Sequence, residues 1–184
     1  LGADSVRPYA EDLVQRDGVH PMEAIAKSIA SFHLEGKCIG FESDTYFFSF
    51  KAVERMQAKL SSSTWVDADL LVNWCRAVKS DVEIEVMRSA AKIASHVMTV
   101  ACEHISPGMR QCDLVAKVLS AQVSGVPGVG GDTTALCPLI LAGEAAATAH
   151  PMWTAAPFEA DQTVALELGG ACPVSYTHLT LPTT

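Results

Sequence analysis

Residues 80–108 read S-D-V-E-I-E-V-M-R-S-A-A-K-I-A-S-H-V-M-T-V-A-C-E-H-I-S-P-G, and this stretch decides how the chain folds. Ser80 and Glu83 form the S-x-x-E signature of a helix start, in which each side chain satisfies a backbone N–H group left unpaired by the helix. Ser106-Pro107-Gly108 ends the helix. Apolar residues recur every three or four positions between these signals, which predicts one long helix with one buried face. The predicted buried residues are Ile84, Met87, Ala91, Ala94, Met98, Ala101 and Ile105.

Short apolar segments on both sides of this helix predict an α/β fold. Upstream, helix signals begin at His20-Pro21 and again after Ser43-Asp44, where the apolar stripe is Phe47, Phe50, Val53 and Met56. Another helix is predicted from 109 or 110 to about 122, with Leu114, Val118 and Ala121 inward. Strand-like runs lie at 38–41, 64–66, 137–141 and 163–168. Helices that alternate with strands favour a layered α/β architecture, and a change of composition near residues 76 to 80 predicts a domain boundary there.

The composition limits the classes of partner. Acidic residues outnumber basic ones by 21 to 13, which gives a formal net charge of −8, and no basic cluster occurs. We therefore expect no nucleic-acid partner and no membrane binding, and no apolar stretch is long enough to span a bilayer. A small-molecule or peptide substrate fits better. The scattered cysteines predict reduced core residues of a cytoplasmic protein; they are Cys38, Cys75, Cys102, Cys112, Cys137 and Cys172.

Glu167 stands out because it interrupts an apolar strand, T-V-A-L-E-L-G-G-A at 163–171. A carboxylate costs free energy to bury unless a partner, a metal ion or a catalytic use compensates. Strand alternation places Glu167 and Ala165 on the face opposite their apolar neighbours, Val164, Leu166 and Leu168. Two interpretations stay open at this point. Glu167 is either a functional carboxylate made more basic by desolvation, or an edge-strand glutamate that faces water.

Residues 74–94, W-C-R-A-V-K-S-D-V-E-I-E-V-M-R-S-A-A-K-I-A, resemble the entry to the catalytic domain of the creatinase, prolidase and aminopeptidase P family. The resemblance continues through I-S-P-G-M-R-Q-C-D-L-V-A at 105–116 to His150 and the strand with Glu167. It implies the end of a creatinase-type N-terminal α/β domain at 1–76 and the first half of a pita-bread catalytic domain at 77–172. The chain lacks an initial methionine, and we expect it to be a fragment with a non-native tail at 173–184.

Within that family, three stretches are most similar to the ectoine hydrolase branch: L-V-N-W-C-R-A-V-K-S at 71–80, G-G-D-T-T-A-L-C-P-L at 130–139 and A-H-P-M-W-T at 149–154. This resemblance implies a hydrolase that opens a cyclic amidine C–N bond to give N-acetyl-diaminobutyrate. The alternatives are a metal-dependent Xaa-Pro dipeptidase or aminopeptidase and a non-catalytic pita-bread binding module. Members of the family are commonly homodimers, so a homodimer is expected.

The resemblance also assigns roles to individual residues. Glu167 is implied to be catalytic, by attacking the amidine carbon or activating water, and His150 matches a histidine that faces the substrate. A lone histidine before proline is otherwise more often structural. Trp153 is implied to bind the substrate through its ring, with an ordinary core tryptophan as the alternative. Asp132, in the Gly130-Gly131-Asp132 turn, resembles a pocket loop residue but can equally serve only the turn.

The resemblance bears on metals as well. Metal-dependent members of the family carry, at the position of Glu167, an aspartate of a two-metal site. The longer glutamate displaces its carboxylate, and two-metal sites hold their ions only about 3.5 to 4 Å apart. We therefore expect no metal cofactor. Under the peptidase alternative, two divalent ions such as Mn, Co or Zn would bind, with Glu167 as one ligand.

Overall fold

The computed structural model describes residues 5–46 and 48–172, and the chain divides into two compact units. The amino-terminal unit is Ala3–Val78, and the carboxy-terminal unit begins at Lys79. Phe47, predicted to lie on a helical stripe, and the predicted non-native tail at 173–184 lie outside the described residues. Each unit combines helices with a pair of strands, so the predicted α/β fold class is confirmed.

The amino-terminal unit alternates helices and strands. Its two strands run parallel, with Cys38 opposite Thr64 and Phe41 opposite Asp67. Parallel strands need a crossover connection, and here a helix provides it. The predicted order of helix, strand, helix, strand is therefore confirmed. The elements are a 3₁₀ turn at Glu11–Leu13, α1 at Met22–Ser31, β1 at Cys38–Phe41, α2 at Phe50–Lys59, β2 at Thr64–Asp67 and α3 at Leu71–Ala77.

Helix α2 begins later than the sequence predicted. Its N-cap is Ser49, whose hydroxyl accepts a hydrogen bond from the third backbone N–H that follows. Ser43, at the predicted start, instead donates its hydroxyl hydrogen to the carboxylate of Asp67 at the end of β2. The predicted apolar stripe is partly wrong. Met56 is buried, but Phe50 is 78% exposed because it occupies the first helical position, where no preceding turn shields it.

The carboxy-terminal unit starts with two helices. They are α4, at Asp81–His104, and α5, at Gln111–Ser124. The predicted capping box is confirmed, because the Ser80 hydroxyl accepts the Glu83 N–H while the Glu83 carboxylate accepts the Ser80 N–H at 2.8 Å. Among the described residues, no helix has the length and apolarity needed to cross a membrane.

Two strands follow the helices, and they run antiparallel. They are β3, at Leu139–Ala142, and β4, at Val164–Glu167, with a 3₁₀ turn at Gly143–Ala147 directly after β3. Leu139 lies opposite Glu167, and Ala142 lies opposite Val164. All four residues of β3 are buried, which agrees with the apolar run that predicted this strand. The register fixes where the end of β4, and therefore Glu167, lies.

The buried face of α4 is not the predicted one. Only Ala101 belongs to both sets, while the predicted Ala91 is exposed and Met98 is 37% exposed. The two sets are one residue apart, about 100° around the helix, and both have helical spacing. The periodicity therefore cannot choose between them. The choice comes from α5 and the residue after β4, which pack against α4 through Val118, Ala121 and Leu168. The residues buried on α4 are Ala90, Ile93, Val97 and Ala101.

The cysteines agree with the sequence in one respect and differ in another. All six are free thiols, as predicted, but none of them is buried. Cysteine is among the residues most often buried in proteins, and this tendency was the basis of the core prediction. In this chain the cysteines depart from that tendency. Cys38, Cys75, Cys102 and Cys137 are exposed, whereas Cys112 and Cys172 are partly buried.

Candidate active site

Glu167 is the last residue of β4, on the face opposite the core. Val164 and Leu166 pack against the core clusters, and Leu168 is buried just beyond the strand, so the predicted alternation is confirmed. These three residues lie on the other face of the strand and do not cover the Glu167 carboxylate. The Glu167 side chain is 38% exposed. It is therefore a carboxylate at the surface of a packed strand and is accessible from solvent.

His150 lies in the connection between β3 and β4, shortly after the 3₁₀ turn. Its backbone φ is 51°, in the left-handed region that non-glycine residues rarely adopt. The next residue is Pro151, which restricts the conformation of His150 further. Histidine is enriched in this region, and four other non-glycine residues of the described chain, Gln15, His33, Asp69 and Asp161, also have a positive φ. The backbone conformation therefore does not by itself distinguish a functional His150 from a structural one.

The structure brings the two predicted catalytic residues together. His150 Nε2 lies 3.9 Å from Glu167 Oε2, with side chains 72% and 38% exposed. The separation is longer than a direct hydrogen bond, so the pair remains available to a third group. An imidazole and a carboxylate in this arrangement can accept and donate protons on the same small molecule. We call these two residues the His150–Glu167 pair.

Trp153 packs against the core. It is partly buried and contacts the cluster formed by Leu114, Val115, Ile140, Ala142 and Phe158. This position supports the interpretation of Trp153 as a core residue that fixes its loop. Its predicted role in binding substrate stays a prediction.

Asp132 serves the turn in which it lies. Its Oδ1 accepts the backbone N–H of Thr133 at 2.7 Å, and its own N–H donates to the carbonyl of Ala171 at 3.0 Å. The second bond joins the loop to the segment that leaves β4, four residues after Glu167. Asp132 therefore helps to tie this loop to the Glu167 strand, and its predicted contact with substrate stays a prediction.

Sequence reasoning missed three residues that hold these segments in place. Gln111 and Gln122 are buried on α5 and hydrogen-bond the loops beside the pair. Gly170 lies so close to α4 that an added Cβ would come within 2.4 Å of the Ala94 nitrogen. The Gly169-Gly170 dipeptide is the sequence signal for this position, because glycine at the end of a strand can mark the close approach of another backbone. Glutamine gives no comparable signal, because most glutamines are exposed.

The start of α5 carries an ion pair between Arg110 and Asp113. Arg110 Nε and Nη2 donate to the two Asp113 carboxylate oxygens at 2.8 and 2.7 Å. These hydrogen bonds lower the pKa of Asp113 and raise the pKa of Arg110. Both side chains are open to solvent, where such pairs contribute little to stability. The ion pair is therefore a surface feature and not part of the candidate site.

A two-metal centre needs more ligands than the described residues bring together. Within 5–46 and 48–172, no group of three or more His, Cys, Asp or Glu side chains is arranged to hold an ion. The His150–Glu167 pair supplies two candidate ligands, which is fewer than a two-metal site requires. The described residues alone therefore do not make up such a centre, and the expected absence of a metal cofactor stays a prediction.

Two family models match the chain. The creatinase/prolidase N-terminal domain matches residues 3–78, and metallopeptidase family M24 matches residues 85–180. The two matches together follow the order of the two units.

Similar proteins and structures agree with these matches. The ectoine hydrolase of Halomonas elongata is 35% identical over 178 residues, covering 92% of this chain and 44% of that protein. An uncharacterised hydrolase/peptidase of Sinorhizobium fredii is 32% identical over 176 residues, covering 96% of this chain and 45% of that protein. The chain thus spans less than half the length of these relatives.

Among solved structures, the Xaa-Pro dipeptidase from Bacillus anthracis superimposes with a TM-score of 0.66 at 21% identity. The match covers 85% of this chain and 41% of that one. At this identity the likeness shows the fold, and it confirms the predicted pita-bread type.

Proposed function

Because the chain belongs to metallopeptidase family M24, with a creatinase/prolidase N-terminal domain ahead of it, we propose that the complete protein hydrolyses a C–N bond in the cyclic amidine of ectoine or a close analogue. The observation that carries the proposal is the approach of His150 Nε2 to Glu167 Oε2 at 3.9 Å. The 35% identity to an ectoine hydrolase supports the choice of substrate.

The proposed chemistry uses both members of the His150–Glu167 pair. Ectoine contains a tetrahydropyrimidine ring whose amidine carbon is electrophilic. Glu167 accepts a proton from water as the water oxygen bonds to that carbon. His150 gives a proton to the departing ring nitrogen and takes the hydroxyl proton as the carbonyl forms. The proton on Glu167 passes to the new amino group, so one water is consumed and N-acetyl-diaminobutyrate is released.

The exposure of the pair is compatible with a small substrate. His150 is on the outside of its turn, and Glu167 lies on the strand face that does not meet the core. A ring of six atoms can therefore approach both groups without opening the packed clusters. The formal charge of −8 over the chain also fits a small, zwitterionic substrate better than a polyanion.

A second candidate function is hydrolysis of Xaa-Pro dipeptides. The family model and the superposition on an Xaa-Pro dipeptidase favour it. This candidate needs metal ligands beyond the two that the His150–Glu167 pair offers. We rank it behind amidine hydrolysis because the ectoine hydrolase is 35% identical to this chain, whereas the likeness to the Xaa-Pro dipeptidase, at 21% identity, shows the fold alone.

One assay separates the two candidates. A polypeptide that completes the catalytic domain is incubated with ectoine and with an Xaa-Pro dipeptide, each with and without a chelator such as EDTA. We expect ectoine to be consumed equally in both conditions and the dipeptide to remain intact. Chelator-sensitive cleavage of the dipeptide without ectoine turnover would replace the first proposal by the second.

We further propose that the active form is a cytoplasmic homodimer and that the 184-residue chain alone is inactive. Among the described residues β3 and β4 pair only with each other, so their outer edges lack strand partners. A sheet of two strands is smaller than the roughly four to six strands that are commonest in folded proteins. Turnover of ectoine by the 184-residue chain at the rate of the completed polypeptide would contradict this part.

A further inference from the structure

Helix α5 carries the two buried polar residues found within the described part of the chain. Gln111 is 8% exposed and Gln122 is 1% exposed. Eleven positions separate them, which at about 100° per residue places both on nearly the same face of the helix. A buried amide costs free energy unless its polar atoms are hydrogen-bonded, so the partners of each glutamine show what it does.

Gln111 holds the loop that follows His150. Its Oε1 accepts the backbone N–H of Thr154 at 2.9 Å, four residues after His150 and directly after Trp153. The Gln111 backbone N–H also donates to the carbonyl of Ala156 at 3.1 Å. The Gln111 side chain therefore holds the loop at Thr154, and its backbone N–H holds the same loop at Ala156.

Gln122 holds the segment that follows Glu167. Its Nε2 donates to the carbonyl of Gly169 at 2.9 Å, two residues after Glu167, and approaches Thr134 Oγ1 at 3.5 Å. Thr134 belongs to the loop that contains Asp132. The amide thus fastens the exit of β4 and the neighbouring loop to one point on α5.

We infer that Gln111 and Gln122 are positioning residues of the His150–Glu167 pair. Each glutamine fixes one of the two segments that supply the pair, and a single rigid helix sets the distance between the two fixing points. Only the expected effect on kcat rests on the proposed function; the expected effect on the geometry of the pair does not. A misplacement of about 1 Å at a reacting group can cost on the order of a hundredfold in rate, so such fixing has a measurable effect.

The Gln111 side chain accepts a hydrogen bond and the Gln122 side chain donates one, so the same substitution should affect them differently. At Gln111 the side chain must accept a hydrogen bond, because its partner is a backbone N–H group. At Gln122 it must donate, because the carbonyl of Gly169 can only accept. Glutamate keeps acceptor oxygens and loses the donor. Gln111→Glu should therefore preserve the contact, whereas Gln122→Glu should break it and place two acceptors against each other.

The experiment measures site geometry in the 184-residue chain, without reference to activity. Amide hydrogen exchange at Thr154 and Asp132 is recorded together with the nuclear Overhauser contact between the His150 ring and the Glu167 methylene protons, because the Asp132 N–H donates to the Ala171 carbonyl. Gln111→Leu should speed exchange at Thr154 at least tenfold and weaken the contact, and Gln111→Glu should restore both. Gln122→Glu and Gln122→Met should each weaken the contact and speed exchange at Asp132. Gln57→Glu, on the exposed surface of α2, is the matched control.

The results test the positioning role of the two glutamines independently of the proposed function. Equal effects of Gln111→Leu and Gln111→Glu, or an unchanged contact in all four variants, would overturn it. In the completed polypeptide, Gln111→Leu should lower kcat about tenfold with little change in KM, and Gln111→Glu should recover it. An unchanged kcat despite a weakened contact would also overturn it. If the wild type turns over neither substrate, the proposed function fails and the exchange and contact data alone decide the positioning role.

Discussion

His150 Nε2 and Glu167 Oε2 are 3.9 Å apart, although the two residues belong to different segments of the carboxy-terminal unit. One follows the 3₁₀ turn after β3, and the other ends β4. Glu167 lies opposite Leu139, the first residue of β3, whereas the 3₁₀ turn follows Ala142 at the other end of the strand pair. The connection from this turn to β4 therefore has to run back along the strands to bring His150 to Glu167, and the chemistry of the pair can be tested one residue at a time.

Glu167→Gln should remove the proton acceptor while preserving the size and shape of the side chain. We expect kcat for ectoine hydrolysis by the completed polypeptide to fall about 10²- to 10⁴-fold, with substrate binding retained. Steady-state kinetics and isothermal titration calorimetry measure the two quantities. The matched control is Glu159→Gln, on the exposed loop before β4, which should leave kcat unchanged. Unchanged turnover in Glu167→Gln, or binding without turnover in the wild type, would favour a non-catalytic binding module.

His150→Asn separates the chemistry of the imidazole from the strain of its backbone. Asparagine tolerates positive φ better than most residues, so the turn at φ 51° should survive the change. We expect kcat to fall about 10²-fold while the thermal midpoint moves by no more than about 1 °C. His33→Asn is the matched control, since His33 also has a positive φ, 59°, and lies in the amino-terminal unit. A fall in the midpoint without a change in kcat would indicate a purely structural histidine.

Local signals predicted both limits of α4 correctly. The capping box at Ser80 and Glu83 and the Pro107-Gly108 stop act within one helical turn, so both ends of α4 could be located from sequence. The buried face of α4 could not be predicted from sequence, because it depends on packing against α5 and on the close approach of Gly170. Long-range packing chose between two stripes that local periodicity left equal.

The residues of the candidate site could be predicted from sequence, but their arrangement could not, because the arrangement depends on long-range packing. Glu167 and His150 could be selected because family resemblance and residue chemistry single them out. Their separation needed the path of the connection between β3 and β4, and the left-handed backbone of His150 needed the structure itself. Gln111 and Gln122 could not be selected, because a buried glutamine is distinguished from an exposed one only by what surrounds it.

Ser80→Ala should destabilise the carboxy-terminal unit through the start of α4. The variant leaves the Glu83 N–H without its hydroxyl acceptor, a loss that typically costs about 1 kcal/mol. Urea denaturation followed by circular dichroism measures it. Ser89→Ala is the control, because Ser89 is inside α4, where alanine is the better helix former. Equal destabilisation by both variants would show that the capping box contributes nothing specific.

The Asp67 carboxylate should titrate at lower pH than an ordinary aspartate. Its hydrogen bond from the Ser43 hydroxyl, followed by the one from the Asp69 N–H, lowers its pKa below the usual 3.8. A lowered pKa in the folded state means that the stabilisation is present above the unfolded value and is lost as the pH falls through the folded value. Ser43→Ala should raise the pKa of Asp67 toward 3.8, as measured by NMR titration of the carboxyl carbon. Asp69→Asn, which keeps the backbone donor, should leave it unchanged.

Gly170→Ala should disrupt the packing of the segment after β4 against α4. A Cβ at this position would lie 2.4 Å from the Ala94 nitrogen and 2.6 Å from the Ala90 oxygen, and backbone atoms of a helix cannot move aside cheaply. Overpacking of this kind costs about 1 to 3 kcal/mol or more. Gly130→Ala is the control, because nothing lies within 4 Å of its added Cβ, and it should change stability by no more than about 0.5 kcal/mol. Urea denaturation of both variants measures the difference, and equal stability would mean that the exit of β4 does not press on α4. Since Gly170 follows Glu167 by three residues, the same variant should also weaken the contact between His150 and Glu167.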